Sequence, residues 1–211
     1  MHSKQLPGGI VVHGGFNGIL PQSKYNNSVL ILRAGIEHLG DSWLLDTATL
    51  TWRQLHASSP AAPCSNHCLV VLDSSSLLRI GGEASSHAST ALAPPVIIDT
   101  RLDGTWALQP IANAPAKPLS DCSAGWITGA DGVKQLCLFG GWGEGAAASR
   151  CVVVDTRTWS CVEAAVKSAA HVEVSRLGAG ALLEEGGRVL LFGGWDGMFQ
   201  WMNALLAITL F

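Results

Sequence analysis

Residues 137–145 read CLFGGWGEG, and residues 191–199 read LFGGWDGMF. The pentapeptide Leu-Phe-Gly-Gly-Trp therefore occurs twice, with Gly140 and Gly193 fifty-three positions apart. Weaker echoes stand at 10–18, IVVHGGFNG, and at 77–85, LLRIGGEAS. In each, an apolar run closes on a glycine pair: Gly14 and Gly15, Gly81 and Gly82, Gly140 and Gly141, Gly193 and Gly194. A spacing of 50–70 residues between like segments predicts a fold assembled from repeated units.

The third unit shows what one repeat contains. CSAGWIT (122–128) turns through GADG into QLCLFGG (135–141), an apolar run that reads as a strand buried on both faces. RCVVVDT (150–156) follows with strong strand preference, and a tight turn leads to WSCVEA (159–164). Four short strands with short connections predict one antiparallel four-stranded meander. The second unit repeats the order with HCLVVL (67–72), LLRIGG (77–82), PVIIDT (95–100) and TWALQP (105–110). The fourth offers LGAGALL (177–183), RVLLFGG (188–194) and NALLAITL (203–210), with no fourth strand. The first begins at its second strand, GIVVHGG (9–15), and continues with DSWLLDT (41–47) and TWRQLH (51–56). Residues 1–8 contain Pro7 and little strand signal, so no first strand is expected there. Segments ending in Asp46, Asp99 and Asp155, each followed by Thr, precede Trp52, Trp106 and Trp159.

Composition fits a fold of stacked sheets. Apolar residues make up 48% and charged residues 14%, below the roughly 25% common in globular domains. The formal net charge of −3, with no run of Lys or Arg, gives no footprint for nucleic acid. No segment is apolar for long enough to predict a membrane-spanning helix, and the first residues lack the apolar stretch of a secretory signal. A cytoplasmic location is therefore expected, with the six cysteines (Cys64, Cys68, Cys122, Cys137, Cys151 and Cys161) reduced and packed as small apolar groups.

With the glycine pairs, the Asp-Thr segments and the tryptophans in view, the chain resembles the Kelch-repeat β-propeller family, the kelch and galactose oxidase type of propeller. PCSNH (63–67) is similar to that family's Pro-Arg-x-x-His segment, with Cys64 at the arginine position. PLSDC (118–122) has lost both Arg and His, and the usual third-strand aromatic survives only as Trp43. The resemblance spans nearly the whole chain. It implies an all-β fold with about four antiparallel four-stranded blades, the first and last incomplete, in one domain over 1–211. The blades are expected at 9–56, 67–110, 122–164 and 177–210. A sheet this small cannot stand alone, and radial stacking covers its faces. On this reading the diglycines lie where a neighbouring blade's backbone comes close, and the tryptophans wedge the blades together.

Rings of this family resemble closures of five to seven blades. Four incomplete blades leave two apolar faces uncovered, which predicts association through the terminal blades. A partial gene product, a four-bladed closure and two chains sharing one ring all remain open. Residues 16–40 occupy a place where other units use far fewer residues. They are either a functional loop or sequence acquired without selection.

Strand alternation sends the first-to-second and third-to-fourth turns to one rim, and the second-to-third loops with the inter-blade links to the other. The long loops all fall on the second rim, where binding is expected. Its recognition groups would be Phe16, Trp142, Glu144, Trp195, Asp196, Phe199 and Trp201, since aromatics dominate interface hot spots. Trp142 and Trp195 could equally pack the inner rim. Glu83 and His87 resemble part of the Glu-x-x-x-Asp-x-x-x-His iron site of plant specifier proteins, but position 87 is His where Asp belongs and position 91 is Ala. No G-x-S-x-G, P-loop or H-E-x-x-H occurs. The expectation is a non-catalytic scaffold or adaptor that binds a protein or peptide partner, with no cofactor, metal, nucleic acid or membrane. An iron-dependent or sugar-modifying propeller enzyme and a truncated fragment without its own function are the rivals.

Overall fold

The computed structural model describes residues 2–6, 9–17, 37–56, 63–83, 95–101, 105–114, 120–129, 131–143, 146–147, 150–164, 166, 181–185, 188–195, 201 and 205–209. Every regular element among them is a β-strand. The first sheet holds β1 (His2–Leu6), β2 (Gly9–Asn17), β3 (Glu37–Asp46) and β4 (Thr51–His56), in that order. The second holds β5 (Ser65–Val71), β6 (Ser76–Glu83), β7 (Val96–Asp99) and β8 (Trp106–Leu108). The third holds β9 (Ser123–Thr128) and β10 (Lys134–Phe139). A two-residue-per-arm ladder of β11 (Trp142–Gly143) and β12 (Ala146–Ala147) follows, and β13 (Cys151–Asp155) and β14 (Ser160–Ala164) complete the sheet. The fourth holds β15 (Ala181–Glu185), β16 (Arg188–Phe192) and β17 (Leu205–Thr209). All within-sheet pairings are antiparallel, so each sheet is a meander blade.

One expectation is overturned at once: the first blade does have a first strand. Residues 2–6 pair with β2 from His2 opposite His13 to Leu6 opposite Gly9, so this blade starts before residue 9. The segment HSKQL has little intrinsic strand preference, and its partner strand supplies the hydrogen bonds that hold it extended. Strands β2 and β3 also reach into the expected 16–40 loop, pairing Phe16 with His38 and Asn17 with Glu37.

The diglycines are close-approach points, but the approaching backbone belongs to their own blade. Gly82 has φ +90°, and a Cβ placed on it would lie 2.6 Å from the Ser65 carbonyl oxygen and 2.8 Å from His67 Cβ, both on β5. Gly141, with φ +101°, would put one 2.7 Å from the Ser120 carbonyl oxygen and 3.3 Å from Cys122 Cβ, just ahead of β9. Paired positive φ values recur at Gly81 and Gly82, Gly140 and Gly141, and Gly193 and Gly194. In the second blade they lie inside β6, whose pairing with β5 continues to Glu83, and in the third and fourth they directly follow β10 and β16. A Cβ at Gly82 or Gly141 would meet the backbone of, or just ahead of, the first strand. In the first blade, Gly14 instead sits at a register shift between His13 and Gly15.

What joins the blades is apolar packing in chain order. Leu69, Leu77, Val96 and Ile98 of the second blade bury against Leu44 and Leu55 of the first, with Trp106 on the edge. Val70, Leu78 and Ile80 of the second bury against Cys122, Leu136, Leu138, Val152 and Val154 of the third. Ile127, Cys137, Phe139 and Cys151 of the third bury against Val189, Leu191 and Ile208 of the fourth. Alternation along each strand produces this: in β13, Val152 and Val154 face the second blade while Val153 faces the fourth. Each such side chain contributes roughly 1.5–3 kcal/mol when fully buried. The bidentate Arg150–Glu163 pair on the surface, at 2.8 and 2.9 Å, is worth about 1 kcal/mol at most. Packing therefore decides the architecture.

The tryptophans need one correction. Register places Trp52 opposite Leu45 and Trp106 opposite Ile98, whereas in the third blade the residue opposite Val154 is Cys161. Trp159 stands two positions earlier, in the turn, with φ +51°, matching Leu50 with φ +56° in the first blade. It still packs on the cluster between the second and third blades. Trp52 lies on the face of the first blade turned away from the second, and is 46% exposed.

The repeated Asp-Thr has its reason in the turns. The Asp46 carboxylate accepts hydrogen bonds from the backbone N–H of Ala48 and Thr49 at 2.8 and 2.9 Å, and Asp155 accepts one from Arg157 at 2.8 Å. Asp73 does the same for Ser75 in a first-to-second turn. These bonds hold the Asp46 carboxyl below its ordinary value, led by the Thr49 N–H. Asp73 is lowered chiefly by the Ser76 hydroxyl, and Asp155 chiefly by the Arg157 side chain. Groups depressed on folding stabilise above their unfolded pKa, and that stability is lost as pH falls through the folded one. The melting temperature should therefore drop between about pH 5 and pH 3. An Asp46→Asn, Asp73→Asn, Asp155→Asn triple variant, followed by thermal melts across that range, should give a shallower drop.

Candidate functional site

The residue directly after each of the last two diglycines begins a short β-pairing that carries the chain away from the blade. In the third blade Trp142 pairs with Ala147, and its backbone N–H donates to the Ser120 carbonyl at 2.7 Å. The backbone of this half-buried residue is thus held from two sides. In the fourth blade Trp195 forms an antiparallel bridge with Trp201. Trp201 accordingly occupies the place that Ala147 takes one blade earlier. The indole centroids of Trp195 and Trp201 are 6.3 Å apart with planes tilted by 33°. Trp195 is half-buried, whereas Trp201 is 84% exposed, the highest value among the large apolar side chains of the described residues.

Of the seven recognition residues expected from sequence, Trp195 and Trp201 are brought together. Trp142 stands at the matching point of the preceding blade. Phe16 lies in β2 opposite His38, with its side chain outside the described residues. Glu144, Asp196 and Phe199 lie outside them altogether, as does His87. Among the described residues no three His, Cys, Asp or Glu side chains converge in a way that could hold a metal ion.

Two features escaped the sequence reading. Trp126 of β9 donates its indole N–H to the Val71 carbonyl at the end of β5, 2.9 Å away, tying the third blade to the second. The second is a buried polar group between the first and second blades. Cys64 Sγ lies 3.4 Å from His67 Nδ1, and Cys64, His67 and Arg79 are all fully buried. Burial pushes the Cys64 thiol up, with the Arg79 charge opposing in part. The Cys64 N–H also donates to the Leu39 carbonyl of the first blade at 3.2 Å, and the Asp121 N–H to the Asn66 carbonyl at 2.9 Å. These bonds make the link segments part of the inter-blade joints.

No family model matches the chain, and no curated protein matches it. Among solved structures, that of YjhT, a Kelch-repeat propeller protein, matches with a TM-score of 0.66 at 13% sequence identity. The match covers 98% of this chain and 65% of YjhT, so the chain spans less than two thirds of that protein. At this identity the likeness establishes the fold: antiparallel blades of a Kelch-type β-propeller.

Proposed function

We propose that this chain, a Kelch-type propeller by fold, is a non-catalytic interaction module that docks a protein or peptide through the rim carrying the second-to-third-strand loops. One observation carries the reading. Trp195 and Trp201 are set side by side by a backbone bridge, and one of the two indoles is almost wholly in water. An exposed indole beside a second one offers a large apolar area, and burying such area on contact is what makes tryptophan prominent in binding hot spots. Trp142 supplies a third, more recessed indole at the matching point of the third blade.

The test is selection of peptides from a displayed random library on the intact chain, followed by calorimetry with a selected peptide. Trp201→Ala should weaken binding by about 30-fold or more, as expected for a hot spot near 2 kcal/mol. Trp142→Ala should have a smaller effect. Unchanged affinity in a folded Trp195→Ala, Trp201→Ala double variant would remove this rim from the interface.

A further inference from the structure

Two pairs of thiols approach one another, and they differ in where they lie. Cys137 and Cys151 are 3.5 Å apart on neighbouring strands of the third blade, both fully buried beneath the fourth. Cys68 and Cys122 are 3.6 Å apart and belong to different blades, Cys68 on β5 and Cys122 directly before β9. Cys68 is half-buried, whereas Cys122 is buried, and the Cys68 thiol also donates to the Cys122 carbonyl at 2.8 Å.

We propose that Cys68 and Cys122 are an oxidation site that closes into a disulfide under peroxide and staples the second blade to the third. A disulfide needs its sulfurs about 2 Å apart, so closure requires roughly 1.5 Å of sulfur movement, within reach of side-chain rotation. The half-buried Cys68 meets the peroxide first. Its sulfur takes one oxygen as the O–O bond breaks, giving a sulfenic acid and one water. The Cys122 sulfur then attacks the Cys68 sulfur, the S–S bond forms, the S–O bond breaks and a second water leaves. Two thiols and one hydrogen peroxide thus become one disulfide and two waters. The adjoining Cys68 sulfur and burial push the Cys122 thiol up, so it attacks from the protonated form and its proton leaves with the Cys68 hydroxyl as that second water. The cross-link spans fifty-four positions of sequence and crosses a blade boundary, so it restrains the unfolded chain strongly.

The intact folded chain is treated with hydrogen peroxide, trapped with iodoacetamide and digested for mass spectrometry. The expected product is a single Cys68–Cys122 linkage, with Cys137 and Cys151 alkylated only after denaturation. The melting temperature should rise by about 10 °C and fall back on adding dithiothreitol. Cys68→Ser should melt like the reduced protein and show no rise. Cys122→Ser should let Cys68 pass on to sulfinic acid. A Cys137–Cys151 linkage formed first, a Cys68 sulfenic acid that persists beside an intact Cys122, or a linkage without thermal gain would each overturn the proposal.

Discussion

Gly82→Ala should lower the unfolding free energy by about 4 kcal/mol or more, enough to leave much of the protein insoluble. Two effects add. The residue holds φ +90°, which an alanine adopts only at a penalty of roughly 1–3 kcal/mol. The new Cβ would also stand 2.6 Å from a backbone oxygen and 3.1 Å from the His67 Cα, neither of which can swing aside as a side-chain tip can. Gly132→Ala separates the two effects. Its φ is +75°, but nothing lies within 4 Å of the added methyl, so only the backbone term applies and the loss should be about 1–2 kcal/mol. Urea denaturation of both variants measures the difference. Equal losses would mean that the first strand does not run beneath the diglycine.

Phe139→Ala should cost about 3–5 kcal/mol, whereas Phe192→Ala should cost about 1 kcal/mol or less. The two phenylalanines hold the same place in the repeated pentapeptide, and each precedes its diglycine. Phe139 is 2% exposed because the fourth blade covers it. Phe192 points to the other side of the fourth blade, where it and its strand partner Leu205 are 53% and 62% exposed. Among the described residues no buried cluster joins the fourth blade to the first. Sequence equivalence thus parts from energetic equivalence, and the difference between the variants reads out the stacking directly. Similar losses would mean that the fourth blade does not pack on the third.

Much of the fold was legible because each blade repeats the same physical problem. The diglycines are required wherever the backbone at the first strand comes close to the second, and Asp46, Asp99 and Asp155 are required wherever their carboxylates hold a turn. These demands are local, so they leave a local pattern. The strand at 2–6 was missed because pairing, not propensity, makes it. Trp159 was grouped with Trp52 by residue type, although it follows its aspartate by four positions and Trp52 follows by six. Asp46 to Thr51 and Asp155 to Ser160 are the same distance, which aligns Trp159 with Leu50 and not with Trp52. Trp126 and the thiol pairs were invisible for a different reason. Their partners lie on other strands, and nothing in a single strand announces a contact across a blade boundary. At the candidate site, the double glycine pointed to Trp142 and Trp195, while the bridge that sets Trp201 beside Trp195 is a property of the loop's return path.

The most direct test of the account is a set of methyl–methyl nuclear Overhauser measurements on the isotopically labelled chain. Sequential stacking predicts cross-peaks between Leu44 or Leu55 and the second blade's Leu69 or Ile98. It predicts others between Leu78 and the third blade's Val152 or Val154, and between Ile208 and the third blade's Ile127 or Val153. Methyls of the first and third blades should share none. Cross-peaks between Leu44 and Leu138, or silence between Ile208 and the third blade, would contradict blades stacked in chain order.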